Sequence, residues 1–284
     1  MSRPSDAVEA LLQKSLTRAD EGEWEDVAEI LREGLSDHPD DPYVLCWLGM
    51  AERELGLEGI AYERFRRALA QQPEDPVLLA TAGNALAEFD DPEAELALRT
   101  AAMIAPELPQ ARWMYGAYLV RAGLVEKGVE ELEAALRLDP EDPVIHLELG
   151  VARLLGDDLP GAAHWFGSSA ELDPGDGWSL ILLGLAWLEL DELEEGARAL
   201  EEGARLRPED LDAQVLAALS LAAEGREGAA LEMLERARLG AEGMDEALVF
   251  EVEERMEEGP SSALRFLRTS VGPSSLRERA MQRP

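Results

Sequence analysis

The chain has 284 residues, of which 46% are hydrophobic and 30% are charged. This composition is typical of a folded chain and excludes a fully disordered one. The 60 acidic and 26 basic residues give a formal net charge of −34, which disfavours binding to nucleic acid or to anionic membrane surfaces, because both need clustered cations. The negative charge indicates either simple solubility or electrostatic steering of a basic partner.

Cysteine usage and hydropathy point to the cytoplasm. Cys46 is the one cysteine, so no internal disulfide can form. The N-terminal residues lack the apolar core of a secretory signal. The longest apolar stretch, WSLILLGLAWLEL at 178–190, is shorter than the roughly 18 residues that a membrane span needs. We therefore expect a cytoplasmic protein without membrane insertion.

Prolines recur along the chain at an almost constant interval. The phrase PEDPVLLATAG at 73–83 returns as PEDPVIHLELG at 140–150. A fixed interval of this length is typical of repeat proteins. The prolines that set the interval, 33 or 34 residues apart, are Pro39, Pro73, Pro106, Pro140, Pro174 and Pro208.

One repeat, residues 140–173, predicts two helices. Asp142 and Pro143 form a helix start, since aspartate caps free backbone N–H groups and proline suits the first helical position. Val144, Leu147, Val151 and Leu154 then give an apolar stripe with helical spacing. The GDDLPG segment interrupts the helix, and a second helix is predicted from about Gly161 until Pro174 ends it. Each repeat is therefore predicted to be a helix hairpin that buries its apolar faces against its neighbours.

This pattern resembles the tetratricopeptide repeat family. The first helices carry a Leu-Gly pair, as at Leu149-Gly150 and Leu183-Gly184. The second helices carry a small residue, a bulky residue and a small residue. These three positions are Ala61, Phe65 and Ala68; Ala94, Leu98 and Ala101; Gly128, Leu132 and Ala135; Ala162, Phe166 and Ser169; Gly196, Leu200 and Gly203; and Ala230, Leu234 and Ala237.

The resemblance implies an all-α fold, a right-handed α-solenoid of about seven helix-turn-helix repeats with C-terminal capping helices. The predicted domains are a degenerate first repeat at 1–40 and six repeats at 41–74, 75–107, 108–141, 142–175, 176–209 and 210–242. Capping helices and an arginine-rich tail are predicted at 243–284. Within residues 262–284, five arginines stand against Glu278 alone. This tail is either a solvated cap or a basic segment that docks on the acidic repeats of the same or another chain.

The resemblance also places the first helices on the inner, concave surface, where family members bind ligands. That surface is rich in apolar residues, and three tryptophans take equivalent or near-equivalent positions on it. Large exposed apolar surfaces mark interaction sites, but tight coiling or inward folding of the C-terminal helices would bury the same residues as core. The predicted partner-binding groove consists of Tyr43, Trp47, Met50, Asn84, Trp113, Met114, Leu147, Val151, Trp178, Ile181 and Leu185.

One subclass of the family captures a peptide carboxylate with lysine, arginine and asparagine on this surface. Asn84 matches one such position, but Cys46, Met114 and Trp178 replace the cations, so carboxylate capture is disfavoured. An apolar segment, helical or extended and flanked by Lys or Arg, is the expected ligand.

No combination of residues predicts catalysis. His38, His146 and His164 share no metal-binding spacing, and no histidine is predicted to lie beside Cys46. We expect no enzyme activity, cofactor or metal. The leading hypothesis is a protein-interaction scaffold, an adaptor or a chaperone-like protein. The alternative is a self-assembling structural subunit that uses its terminal helices and basic tail, so homo-oligomerisation is left open.

Overall fold

The computed structural model describes residues 4–272 and 275–282. Within them the chain forms 17 α-helices and one π-helical segment, and no strand, so the all-α prediction is confirmed. The helices are α1 (Asp6–Ala19), α2 (Trp24–Asp37), α3 (Pro42–Glu54), α4 (Glu58–Ala70), α5 (Pro76–Ala87), α6 (Glu93–Ile104), α7 (Pro109–Arg121), α8 (Val125–Leu138), α9 (Pro143–Leu155), α10 (Leu159–Leu172), α11 (Gly177–Glu189), α12 (Leu193–Leu206), α13 (Leu211–Ala223), α14 (Glu227–Gly240), α15 (Met244–Glu257), α16 (Pro260–Phe266), the π-helical segment (Leu267–Val271) and α17 (Ser275–Met281).

The helices divide into two compact units. Unit 1 is Met1–Leu138, with α1 to α8, and unit 2 is Asp139–Pro284, with α9 to α17. Inside each unit the closest packing joins the two helices of a pair, such as α3 with α4 and α11 with α12. Successive pairs then pack on each other, for example α4 on α5 and α12 on α13. This stacking buries the apolar stripes that a single pair would leave exposed. The exact repeat boundaries and the handedness of the array stay predictions.

Aspartates begin most of the first helices. The Asp41, Asp75 and Asp142 carboxylates each accept a hydrogen bond of 2.9 Å from the backbone N–H two residues later, and proline follows each of them. Asp176 and Asp210 cap α11 and α13 without a following proline, by accepting the backbone N–H groups of Trp178 and Ala213 at 3.0 and 2.9 Å. The carboxylates satisfy N–H groups that have no partner within the helix. The N-cap of α7 is Leu108, which provides no side-chain acceptor.

A residue with positive φ lies in the turn between the two helices of each of the seven pairs. Glycine adopts this left-handed conformation without strain, whereas aspartate adopts it at some cost. Three of the seven turns nevertheless use aspartate, with φ between 52° and 66°. The seven positions are Gly22, Gly56, Asp90, Gly123, Asp157, Asp191 and Gly225.

Glycines bring the two helices of a pair into close contact. A Cβ added to Gly184 on α11 would lie 2.9 Å from the Gly196 carbonyl oxygen and 2.8 Å from Leu200 Cγ on α12. A Cβ on Gly196 would in turn lie 3.0 Å from the Gly184 carbonyl oxygen. The two backbones therefore meet at a distance that excludes any side chain, which is the physical reason for the small residues in the repeat pattern.

The C-terminal segment folds onto the first helices of unit 2. We call residues 260–282, as far as they are described, the tail. Within the tail, α16 and the π-helical segment pack on α13, while α17 packs on α11 and α9. The preceding helix, α15, packs on α13 and α14. The two predicted capping helices, α15 and α16, are thus present. The tail, which begins with α16, contacts the three first helices α13, α11 and α9.

Unit 1 encloses Cys46 in its core. The residue is 3% exposed and packs in a cluster with Leu45, Phe65 and Leu78. Burial, and secondarily the negative charge of Asp75, raise the pKa of the Cys46 thiol to about 12. The thiol is therefore both neutral and shielded at physiological pH.

We predict opposite effects of alanine at two helical glycines. Gly184→Ala should lower the free energy of unfolding by about 1–3 kcal/mol, because the new methyl group collides with the backbone of α12. Gly228→Ala is the matched control, since nothing lies within 4 Å of its added Cβ. It should stabilise α14 by about 0.5–1 kcal/mol through lower backbone entropy in the unfolded state. Urea unfolding followed by circular dichroism measures both, and equal shifts in the same direction would contradict the close contact.

We predict that Cys46 resists thiol reagents while unit 1 is folded. At pH 8 a pKa of about 12, in place of 9.0, lowers the thiolate fraction about 1,000-fold. Reaction with Ellman's reagent should therefore be slow in buffer and fast after urea is added. Rapid reaction of the native chain would mean that the cluster around Cys46 is open.

Candidate functional site

The predicted groove residues fall on one stripe of the first helices. Aligned by the 33- or 34-residue interval, all eleven occupy only four positions in the repeat, with helical spacing i, i+3, i+4 and i+7. Residues with this spacing share one side of a helix. We call this stripe the unit 1 face where α3, α5 and α7 carry it, and the unit 2 face where α9, α11 and α13 carry it.

The unit 1 face retains partly exposed side chains. Each packs one side against the core and leaves another accessible. Trp47 packs against the cluster that contains Val27 and Leu31, and Trp113 packs against the cluster that contains Leu98. The half-buried members are Tyr43, Trp47, Met50, Asn84 and Trp113. Met114 is the exception among the predicted residues of unit 1, since it is only 8% exposed.

Tyr43 and Asp75 form a polar site at one end of the unit 1 face. The Tyr43 hydroxyl donates a hydrogen bond of 3.3 Å to Asp75 Oδ2. The other oxygen, Oδ1, accepts the backbone N–H groups of Val77 and Leu78 at 2.9 and 3.0 Å. Burial, followed by the charge and hydrogen bond of Asp75, raises the pKa of the Tyr43 phenol to about 12. Tyr43 therefore remains a neutral donor at any physiological pH.

The unit 2 face is buried. Its five predicted groove residues are no more than 6% exposed. The tail lies against two of them, since Arg279 is over the Trp178 ring and Leu267 lines one cleft with Leu185, so the inward folding that the sequence left open does occur here. Ile181 packs instead against Gly203 of α12. Whether these residues ever contact a partner stays a prediction, because in this structure they pack within the chain. They are Leu147, Val151, Trp178, Ile181 and Leu185.

Arg279 anchors the tail to the unit 2 face. Its Nη1 and Nη2 atoms donate to the two oxygens of Asp210 at 2.7 and 2.8 Å, in a bidentate pair. Its guanidinium carbon also lies 5.5 Å from the centre of the Trp178 ring, a distance suited to a cation–π contact. The side chains of Arg279 and Asp210 are only 9% and 14% exposed, so solvent screens the pair weakly.

The pKa of Asp210 reflects this pairing. Burial raises it, but the hydrogen bonds from Arg279 and from the Ala213 backbone N–H, with the charges of Arg279 and Arg207, lower it more, so the net shift is downward from 3.8. A lowered pKa in the folded state means that this contribution to stability is present at neutral pH. It is lost only as the pH falls below the ordinary carboxylate range.

Two further arginines of the tail pair with the positive-φ aspartates. Arg277 donates to Asp157 and Arg268 donates to Asp191, each at 2.7 Å. Both aspartates are highly exposed, at 84% and 79%, so each pair stabilises the fold only slightly. Sequence reasoning missed these acceptors and Asp210. The signal for the first two was available, since aspartate replaces glycine at one register position of the repeat.

The basic tail therefore docks on the acidic repeats of its own chain. This is one of the outcomes that the sequence left open, and it applies to Arg268, Arg277 and Arg279. The fifth arginine, Arg283, lies outside the described residues.

A cleft of about 350 Å³ remains between the tail and α11. Leu185, Leu188 and Leu267 contribute apolar walls, and Glu189 and Arg277 contribute charge. Burial raises the pKa of Glu189, although the positive charge of Arg277 acts in the opposite direction. The cleft shows that the tail covers the unit 2 face without filling every space beneath it.

The histidines take part in local packing. His146 Nε2 lies 3.0 Å from the Pro140 carbonyl oxygen, and His146 and His164 both contact the Trp165 ring. In residues 4–272 and 275–282, no group of three or more His, Cys, Asp or Glu side chains could hold a metal ion. No helix in these same ranges is long and apolar enough to cross a membrane.

Comparison with known proteins adds sequence relatives. A family model described as tetratricopeptide repeat matches residues 109–152. Superkiller complex protein 3 of Mus musculus is 31% identical over 142 residues, which are 49% of this chain and 9% of that protein. The Homo sapiens protein of the same name is 30% identical over 142 residues, with the same coverage. The chain thus spans a small fraction of the length of these relatives.

Solved structures share the fold. A chain in the crystal structure of the APC/C hetero-tetramer Cut9–Hcn1 gives a TM-score of 0.65 at 19% identity, covering 84% of this chain and 48% of that chain. PilW, described as a type IV pilus biogenesis factor, gives 0.59 at 17% identity, covering 71% and 94%. At these identities the likeness shows the fold alone.

The family match at residues 109–152 and the stacked helix pairs both agree with the repeat that the proline interval predicts. The glycine contacts agree with the small residues at fixed positions of that repeat. Repeats of this kind indicate a scaffold for protein–protein interaction. The family match at residues 109–152 and the shared fold support a chain built from tetratricopeptide repeats.

Proposed function

We propose that this chain is a non-enzymatic scaffold that binds an apolar, basic-flanked segment of another protein on the unit 1 face. The observation that carries the proposal is the difference between the two faces. The tail covers the unit 2 face, whereas in residues 4–138 no helix lies across the corresponding stripe of α3, α5 and α7. The partly exposed sides of Trp47 and Trp113 could therefore contact a ligand.

The residue types of the unit 1 face support an apolar ligand. Trp47 and Trp113 are fixed on one side by core packing, so they can contact a partner with little further loss of side-chain entropy. Tryptophan and tyrosine are enriched among the residues that dominate binding energy in interfaces. Asn84 adds one polar group to an otherwise apolar stripe.

The charge of the chain supports a ligand with Lys or Arg beside its apolar residues. The formal net charge of −34 attracts basic segments and repels acidic ones. Unit 2 provides an internal precedent, because the tail that covers it is apolar at Leu267 and Leu276 and attaches through three arginines.

Self-assembly through the tail is the less favoured hypothesis. Three of the five arginines that would contact a second chain are paired with Asp157, Asp191 and Asp210 of their own chain. Light scattering of the purified protein at low and high salt separates the two hypotheses. A salt-insensitive monomer supports the scaffold, and salt-dependent oligomers support self-assembly.

We predict that Trp113→Glu abolishes partner capture. A carboxylate at this position places a charge where the ligand would bury apolar surface, and should weaken binding at least 10-fold. The measurement is a pull-down from the lysate of the source organism, with proteins identified by mass spectrometry. The matched control is Met103→Glu on α6, which introduces the same charge at a 74% exposed position outside the face.

The informative result is a protein that the parent chain and Met103→Glu capture and Trp113→Glu does not. Circular dichroism must show unchanged helicity for both variants. Asn84→Glu, at a half-buried polar position, replaces Trp113→Glu if that variant unfolds. Identical sets of captured proteins on all baits would contradict binding at the unit 1 face.

We predict that the tail depends on Arg279 far more than on Arg277. Arg279→Gln removes a shielded bidentate pair and should raise amide hydrogen exchange of residues 275–282 about 10- to 100-fold. Arg277→Gln is the matched control, because its pair with Asp157 is exposed, and exchange should change less than about 3-fold. Mass-spectrometric hydrogen exchange at pH 7 measures both. Equal exchange in the two variants would contradict the anchoring role of Arg279.

A further inference from the structure

An aromatic residue and an aspartate recur together at one place in the repeat. The aromatic is the second residue of a first helix, and the aspartate is the N-cap of the next first helix. Trp178 with Asp210 is one example and Tyr43 with Asp75 is the other, offset by 135 residues in both positions. Elsewhere in the described repeats at least one member of the pair is missing. Unit 1 has Val77 with Leu108, and unit 2 has Val144 with Asp176.

In unit 2 this pair holds an arginine. Arg279 reaches over the Trp178 ring and donates both Nη atoms to Asp210, whose Oδ1 also accepts the Ala213 backbone N–H at 2.9 Å. One carboxylate therefore caps a helix and binds a guanidinium at the same time. This is possible because each carboxylate oxygen can accept more than one hydrogen bond.

We propose that Tyr43 and Asp75 form the equivalent arginine-binding subsite on the unit 1 face, and that it takes one arginine of a helical partner segment. The proposal rests on the function proposed above and names the side chain by which the partner is recognised. The guanidinium stacks on the Tyr43 ring and donates to Asp75.

The chemistry of Asp75 matches that of Asp210. Its Oδ1 caps α5 through two backbone N–H groups, and its Oδ2 accepts one long hydrogen bond from the Tyr43 hydroxyl. Across the described part of the chain, no arginine or lysine forms an ion pair with Asp75, whereas Asp210 has Arg279. The Asp75 carboxylate is half-buried, so an added guanidinium would be partly shielded from solvent.

The subsite takes a single arginine because the other tail contacts have no counterpart. Asp157 and Asp191, which bind Arg277 and Arg268, correspond by the same offset to Gly22 and Gly56. Glycine offers no carboxylate. A segment on unit 1 is therefore selected by one guanidinium and by the apolar stripe beside it.

The experiment uses a fluorescently labelled peptide with the sequence of residues 259–282, added to the full chain. The native tail is covalently attached and competes at a high effective concentration on unit 2, so added peptide reports mainly on unit 1. Asp75→Asn is the key variant, because asparagine retains the helix cap and removes the charge. Fluorescence anisotropy should show affinity reduced about 10- to 100-fold, as expected for loss of a charge-assisted hydrogen bond.

A second pair of measurements assigns the loss to one arginine. A peptide carrying Arg279→Gln should bind the parent chain as weakly as the parent peptide binds Asp75→Asn. Combining the two changes should cause little further loss of affinity, because they remove the same contact.

Tyr43→Phe, which keeps the aromatic ring, should retain binding of the peptide. Asp142→Asn is the matched control, since it removes a carboxylate from an N-cap that has no aromatic partner, and it should leave the affinity unchanged.

Three outcomes would overturn the subsite. They are unchanged affinity in Asp75→Asn, affinity that responds instead to Asp210→Asn, and no saturable binding of the peptide. Each leaves the broader proposal separately testable, because partner capture that depends on Trp113 does not require Asp75. Loss of capture in Trp113→Glu together with unchanged peptide affinity in Asp75→Asn would retain the scaffold and reject the arginine subsite.

Discussion

The close contact between the two helices of each pair is the constraint on which the rest of the structure depends. At Gly184 and Gly196 the backbones of α11 and α12 approach until neither position can carry a side chain. This contact fixes the pair as a flat element with an apolar stripe on each side. Packing against neighbouring pairs buries one stripe. The other stripe lies on the first helices and forms the unit 1 and unit 2 faces. The candidate unit 1 and unit 2 faces therefore depend on small residues that let the two helices of a pair pack closely.

The two units show the same surface in two states. In unit 2 the tail lies over α9, α11 and α13, and Trp178 is only 6% exposed. In unit 1 no described element of that unit lies over α3, α5 and α7, and Trp47 and Trp113 are half-buried. The unit 2 face indicates what kind of ligand would suit the unit 1 face, since the tail that covers it combines apolar residues with arginine. The contacts of the tail on the unit 2 face therefore indicate that a segment of similar chemistry would suit the unit 1 face.

Much of the fold could be predicted because its determinants are local. The proline interval marks the ends of second helices, and Asp142 with Pro143 is enough to start α9. The state of the site could not be predicted in the same way. Tyr43 and Trp178 hold the same position in the repeat, yet Tyr43 is half-buried and Trp178 is buried, and Arg279, about 100 residues after Trp178, lies over the Trp178 ring. The aspartates at 157 and 191 were visible as departures from glycine, but their partners lie more than 70 residues away.

The three ion pairs of the tail differ in how they respond to ionic strength. Asp157 and Asp191 stand in solvent, where a Debye length of about 10 Å at 0.1 M salt already screens much of their attraction for arginine. Asp210 is largely shielded by Arg279 and the surrounding protein. Added salt therefore loosens the outer attachments of the tail while the Arg279 anchor holds. Leu267 and Leu276 are buried as well, so apolar contacts and the Arg279 anchor keep the tail on the repeats when salt screens the two exposed pairs.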